Sequence, residues 1–420
     1  MRYKKTVFDN GIRLITERLA HVKSISLGIW VNAGSRDEDE RARGIFHLIE
    51  HMIFKGTMSR SAMQIAKDLD GIGGFSNAFT SKEQTCFYGR VLDRHLPFLI
   101  DLLSDIFINS VFAEKELELE KSVVLQEIHM MEDTPDEYVQ VLFDQAFWGG
   151  DPLGRPIMGT RESVTGIQRD DIVQHVTRFY SPTRVAIAAA GNLDHDLLVT
   201  SFKPLFETLS PEPNSSQARY TPSSKASISS HPKELEQVHL CLGARASSLS
   251  ARERFAESIF NTLLGGNMSS RLFQEIREKR GLAYAVYSGV NGYIDTGMIK
   301  VYVATDKEYT NEVLELVVQL IKDIQAGDLD EGDLARTKEY LTGAILLGTE
   351  NNDVLMTRLA RNEFIFGRYI SYRELIAELK RVTLDEVIEA SRRIFSPDSI
   401  SLTVLGPIDR DQIAVDPINF

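Results

Sequence analysis

His47-Leu48-Ile49-Glu50-His51 places two imidazoles and a carboxylate within five residues. On a helix, positions four apart share a face, so His47 and His51 can grip a single metal ion. Glu50 precedes the second histidine and sits about one turn after the first, beside the metal rather than on it. Zinc lowers the pKa of a bound water from about 15.7 to roughly 7, so a carboxylate there could take the water's proton at neutral pH. That chemistry is hydrolysis by a metal-activated water with Glu50 as general base. The same five residues also fit a solvated helix face, and a third ligand decides between the two.

Catalytic zinc commonly takes three protein ligands and keeps its fourth position for water. Downstream runs Glu114-Lys-Glu-Leu-Glu-Leu-Glu120-Lys-Ser-Val-Val-Leu-Gln-Glu127-Ile-His129-Met-Met, free of Gly and Pro, which reads as a helix. Glu120 and Glu127 are seven residues apart, almost two turns, so they point the same way. One could bind metal while the other holds a ligating histidine from behind. Glu114, Glu116 and Glu118 read as a salt-bridged surface. Glu127 differs, because Val123, Val124, Leu125 and Ile128 around it read as buried, and a lone carboxylate among them is costly without a partner. His129 points away from Glu127 and reads as a surface or packing residue.

The order His-x-x-Glu-His is the reverse of the common zinc-peptidase motif, and the chain resembles the inverted-zincin peptidases that include mitochondrial processing peptidase, pitrilysin and insulin-degrading enzyme. In that family the third ligand is a glutamate about seventy-five residues after the second histidine; Glu127 follows His51 by seventy-six. The resemblance thus implies His47, His51 and Glu127 as ligands of one zinc per chain, with Glu120 in support. It extends to Gly73-Gly74-Phe75-Ser76-Asn77-Ala78-Phe79-Thr80, which in relatives supplies an edge strand whose backbone pairs with substrate, so Asn77 and Ala78 are implied as substrate-binding.

The chain repeats itself. Gly166-Ile-Gln-Arg-Asp170-Asp171 continuing to Phe179-Tyr180-Ser181-Pro182 and Gly191 has a counterpart 215 residues on, Arg381-Val-Thr-Leu-Asp385-Glu386 continuing to Phe395-Ser396-Pro397 and Gly406. Each copy reads as a helix, a Ser-Pro break and a buried strand ended by glycine. The expected fold is α+β: two homologous halves, each a mixed or antiparallel sheet with helices stacked on one face. A Pro- and Ser-rich stretch divides residues 1–208 from 231–420, with 209–230 as linker. The resemblance implies that the halves form a clamshell around a chamber.

The second half has lost the metal motif. Aligning Phe46 with Phe260 sets Asn261, Leu264 and Gly265 opposite His47, Glu50 and His51. It keeps Arg277 and, seven residues later, Tyr284, the spacing at which relatives place an Arg and a Tyr that reach bound substrate. The resemblance implies that Tyr284 faces the developing oxyanion and that Arg277 holds a substrate carbonyl. Read without it, Arg277 is a surface ion pair with Glu278 and Tyr284 is core.

At 420 residues the chain exceeds one ordinary domain, and 43% hydrophobic with 25% charged residues is a globular composition. A net charge of −13 argues against non-specific nucleic-acid binding. Cys86 and Cys241 lie in apolar, strand-like runs and read as buried free thiols. No stretch approaches a membrane span of about 20 apolar residues. Met1-Arg-Tyr-Lys-Lys shows no signal-peptide pattern, so a cytoplasmic location is expected, with no membrane partner. The function expected is zinc endopeptidase action on extended or unfolded peptides, by a homodimer. The alternative is a non-catalytic peptide-binding or scaffold subunit of a heterodimer.

Overall fold

The computed structural model describes residues 2–209, 219–224, 226–396 and 399–414; of the expected linker, residues 210–218 and 225 lie outside it. Two mixed sheets form the frame. The first is built from β1 (Tyr3–Val7), β2 (Arg13–Arg18), β3 (Ser24–Val31), β4 (Phe75–Thr80), β5 (Thr85–Leu92) and β6 (Val185–Gly191), in the order β1-β2-β6-β3-β5-β4. The second is built from β7 (Ile228–Pro232), β8 (Val238–Ala246), β9 (Ala283–Gly292), β10 (Gly297–Thr305) and β11 (Ser401–Gly406), in the order β7-β11-β8-β10-β9. In each sheet the strand after the Ser-Pro break runs parallel to one neighbour and antiparallel to the other. Shifted by 215 residues, β2, β3 and β6 fall on β7, β8 and β11 to within a residue. The repeat seen in the sequence is thus a repeat of topology.

The sheet faces explain the strand compositions. In β3, Ile25, Leu27, Ile29 and Val31 enter a core with Val185, Ile187 and Ala189 of β6 and helix residues such as Leu99, Leu103 and Phe179. The period-2 alternation sends Ser26, Gly28 and Trp30 of β3 and the alanines 186, 188 and 190 of β6 to the opposite face. That face is not left to solvent. The helix Asn352–Phe366 packs on β2, β3 and β6, and a Cβ on Gly28 would lie 3.0 Å from Met356 Sδ. The second sheet repeats the device: the helix Pro135–Trp148 packs on β7, β8 and β11, and a Cβ on Gly243 would come within 2.8 Å of Phe143. Gly28 and Gly243 are themselves 215 residues apart.

Chain segments are shared out accordingly. One compact unit comprises Met1–His129, Arg155–Ala218 and Leu347–Tyr369; the other comprises Met130–Gly154, Arg219–Leu346 and Ile370–Phe420. Each unit therefore takes one helix from the opposite half of the sequence, and the expectation of helices on one face is corrected to helices on both. The sequence holds no sign of this, because the covering helix is remote along the chain. Both cysteines are buried and free, as expected. Among the described residues no helix is long and apolar enough to cross a membrane.

Candidate metal centre

The segment carrying the two histidines is a helix, Ile45–Met52. It starts at Gly44, whose φ of 87° lies in the left-handed region, where a Cβ would collide with the Met158 carbonyl oxygen at 2.5 Å. Ile45, Phe46, Leu48, Ile49 and Met52 are buried and anchor the helix in the first core. The remaining face carries His47, Glu50 and His51, all half-buried. The 3.6-residue period thus places the polar trio on one stripe and the apolar residues on the other.

The helix Glu114–Glu132 brings the carboxylates. Glu127 Oε2 stands 3.7 Å from His47 Nε2 and 3.5 Å from His51 Nε2. Ligand atoms of His47, His51 and Glu127 all lie within 4.8 Å of one another, which makes this the cluster of three able to hold a metal among the described residues. Glu120 does something else. Its Oε2 lies 3.1 Å from His51 Nδ1, on the ring edge away from Glu127, and its Oε1 meets Lys55 Nζ at 2.6 Å. Val124 and Ile128 are buried beside Glu127 as expected, but Val123 is 38% exposed because it lies on the outer side of the helix. His129 is exposed.

These residues fit a divalent cation. Glu127 Oε2 and His47 Nδ1 are buried with no hydrogen-bond partner. A carboxylate oxygen buried without a donor, facing two imidazole nitrogens, is electrostatically incomplete until a cation shares it. Two nitrogens and one carboxylate oxygen are a donor set that zinc accepts. Burial, with His51 adding to it, pushes the His47 imidazole down to about 4, so it is held in the neutral form that can donate a lone pair. Burial is also the largest influence on Glu50, whose carboxyl is raised above its ordinary range; hydrogen bonds from Thr80 and the nearby His51 offset this, and Glu127 adds to it. A raised carboxyl is suited to proton transfer near neutral pH.

Sequence reasoning missed three residues here. Lys55, one turn beyond His51, anchors Glu120; Thr80, at the end of β4, holds Glu50 and donates to the Phe46 carbonyl at 3.3 Å. Glu38, 4% exposed, accepts the Gly44 and Phe46 amides at the start of the metal helix. Lys55 had a signal in its i,i+4 spacing from His51; Thr80 had none, since its partner Phe46 is distant in sequence. Glu38, though close to Gly44 and Phe46, lies before the helix and outside its period.

β4 is the edge of its sheet, paired with β5 alone. Asn77 is exposed and Ala78 buried, and the Ala78 amide donates to Asn77 Oδ1 at 2.9 Å. In the second unit, Arg277 and Tyr284 are brought together: the guanidinium lies 4.5 Å from the Tyr284 ring centroid and 4.8 Å from that of Phe273. Tyr284 is 79% exposed, which excludes the core reading, and the Arg277–Glu278 approach is a long 3.7 Å. The counterpart positions Asn261, Leu264 and Gly265 hold no metal-binding cluster.

Residues 13–161 match the family model described as insulinase (peptidase family M16), and residues 166–341 match that of the peptidase M16 inactive domain. The chain belongs to peptidase family M16. His47, His51 and Glu127 all fall in the first match, and among the described residues the second holds no such cluster. The chain is 37% identical over 404 residues to the uncharacterized zinc protease YmxG of Bacillus subtilis, covering 96% of this chain and 98% of that one. It is 36% identical over 416 residues to an uncharacterized zinc protease of Streptomyces coelicolor, covering 97% and 90%. In fold it is similar to the crystal structure of a protease from Helicobacter pylori, with a TM-score of 0.91 at 19% identity over 96% of this chain and 99% of that one. The family membership rests on the two family matches and on the relatives that cover 96% and 97% of the chain.

Proposed function

We propose that this M16 chain is a zinc endopeptidase that hydrolyses extended or unfolded peptides. The observation that carries the reading is the convergence of His47 Nε2, His51 Nε2 and Glu127 Oε2, with the orphaned Glu127 oxygen at its centre. His47, His51 and Glu127 would hold one zinc, which when bound supplies Lewis acidity toward a peptide carbonyl and acidifies water. Glu50, held by Thr80, takes the proton of the attacking water and passes it to the leaving amide nitrogen. Glu120 fixes the His51 ring through Nδ1, and Lys55 fixes Glu120.

An extended peptide adds to the open edge of β4, where a backbone partner recognises chain without demanding sequence. A substrate carbonyl would replace the Asn77 side chain on the Ala78 amide. For Arg277 and Tyr284 the family resemblance supplies the roles: the guanidinium binds a substrate carbonyl and the hydroxyl meets the oxyanion.

The test is turnover of fluorogenic unfolded peptides by purified protein, with zinc content measured alongside. Wild type should turn over, while Glu50→Gln should keep about one zinc per chain and lose activity by roughly 10²–10⁴-fold. Bound zinc with no wild-type turnover on any peptide would favour a non-catalytic subunit. Absence of zinc would overturn the metal reading.

A further inference from the structure

We propose that Glu38 is a positioning residue for the metal centre, acting through the first turn of the metal helix to set where His47 presents its nitrogen. The inference rests on the metal reading of His47, His51 and Glu127 and adds to it what holds the first of these ligands.

The two histidines are supported differently. The His51 ring is gripped from behind by Glu120, which Lys55 holds in turn. The His47 ring has no such support: its Nδ1 is buried and without a hydrogen-bond partner. Its placement is therefore inherited from the backbone of residues 44–47. That turn has no cap of its own, because Gly44 at the N-cap has no side chain to offer its amides.

Glu38 fills the gap. Its Oε2 accepts the Gly44 amide at 2.8 Å and its Oε1 accepts the Phe46 amide at 3.0 Å. One carboxylate thus spans the amides on either side of Ile45, directly before His47. Burial pushes the Glu38 carboxyl up to about 8, and the Gly44 and Phe46 amides at the positive end of the helix offset part of that cost. Glu38 is anchored in its turn, since its own carbonyl accepts from Arg155 Nη1 at 3.0 Å. The helix start is fixed on its other side by the Gly44 backbone against Met158, and by Ser163 Oγ donating to the Arg43 carbonyl at 2.8 Å. A buried carboxyl seven residues before the first residue of the helix thus does for His47 what Glu120 does for His51.

The test compares wild type with Glu38→Gln, a near-isosteric change that leaves one acceptor oxygen and puts an amide donor where the second was. Metal is removed by chelation, the full chain is titrated with Zn(II) against a chromophoric competitor, and the Co(II)-loaded form is read by visible absorption. Glu38→Gln should bind zinc about tenfold more weakly, the scale of losing an outer support of a ligand. Its cobalt bands should also move, a signature that a purely stabilising residue would not alter. Unchanged affinity and an unchanged cobalt spectrum in folded Glu38→Gln would overturn the proposal. If Glu38→Gln does not fold, Glu38→Asp, which keeps the carboxyl but shortens the reach, is read by the same two measurements. Wild type that binds neither metal would remove the metal reading itself, a failure distinct from that of Glu38.

Discussion

The two carboxylates of the helix Glu114–Glu132 should separate cleanly when each is removed. Glu127 faces both Nε2 atoms, at 3.7 and 3.5 Å, whereas Glu120 touches only the far nitrogen of His51, at 3.1 Å. Structural zinc sites bind with about 10–16 kcal/mol, so an even share among three ligands is roughly 3–5 kcal/mol each. Losing Glu127 should therefore weaken zinc by at least about 10²-fold. Losing Glu120 removes an outer hydrogen bond, for which 10–100-fold, or about 1.4–2.8 kcal/mol, is the usual range. The ion pair with Lys55 adds little to this, because Lys55 is 33% exposed and can turn to water when its partner goes. Zinc competition titrations on Glu120→Ala and Glu127→Ala measure both losses, and the second should exceed the first by about tenfold or more. Equal losses, or a larger loss for Glu120→Ala, would refute the division of roles.

Three further outcomes follow from other parts of the molecule. Tyr284→Phe keeps the ring that Arg277 stacks on and deletes only the hydroxyl, so a kcat lowered by about 10²-fold or more with little change in KM would mark an oxyanion donor, while unchanged kcat would remove Tyr284 from the chemistry. His175 is packed between Phe46 and Phe179, with burial and the nearby Arg178 pushing its imidazole down to about 3. The unfolded chain's histidine takes up its proton below about 6.5 and the folded one only near 3, so stability falls as pH drops through that window, by up to about 1.4 kcal/mol per pH unit. Urea unfolding of His175→Gln should show a shallower pH dependence between those limits, and an identical dependence would exclude His175 as the cause. Gly243→Ala sets a Cβ 2.5 Å from the Ile299 carbonyl oxygen and 2.8 Å from Phe143, and should cost about 1–3 kcal/mol in thermal unfolding, whereas Gly289→Ala, which meets nothing within 4 Å, should leave Tm nearly unchanged.

The sequence by itself determined what is local or periodic. The i,i+4 pair His47 and His51 lies on one helix face because 3.6 residues per turn leave no alternative once the helix forms. The same geometry aims Glu120 and Glu127 toward one side of their helix. The 215-residue repeat announced two halves because a duplicated chain keeps its strand and turn chemistry. Which of the two glutamates meets the Nε2 atoms was open on spacing alone, and the family resemblance named Glu127. Only the packed fold puts Glu127 before both rings and sends Glu120 to the back of one.

Tertiary structure alone decided the rest. Thr80 acts on the metal helix from a strand remote in sequence and Glu38 from the stretch just before it, through hydrogen bonds that no helical or strand period encodes. Val123 read as apolar and therefore buried, yet helix rotation against the core left it outside. The helices Pro135–Trp148 and Asn352–Phe366 each cover a sheet of the opposite half, onto bare glycines at Gly243 and Gly28. Apolar pattern tells which side of an element seeks burial, but not which partner buries it. That choice is made by shape and by the long-range closure of the chain, which no local period encodes.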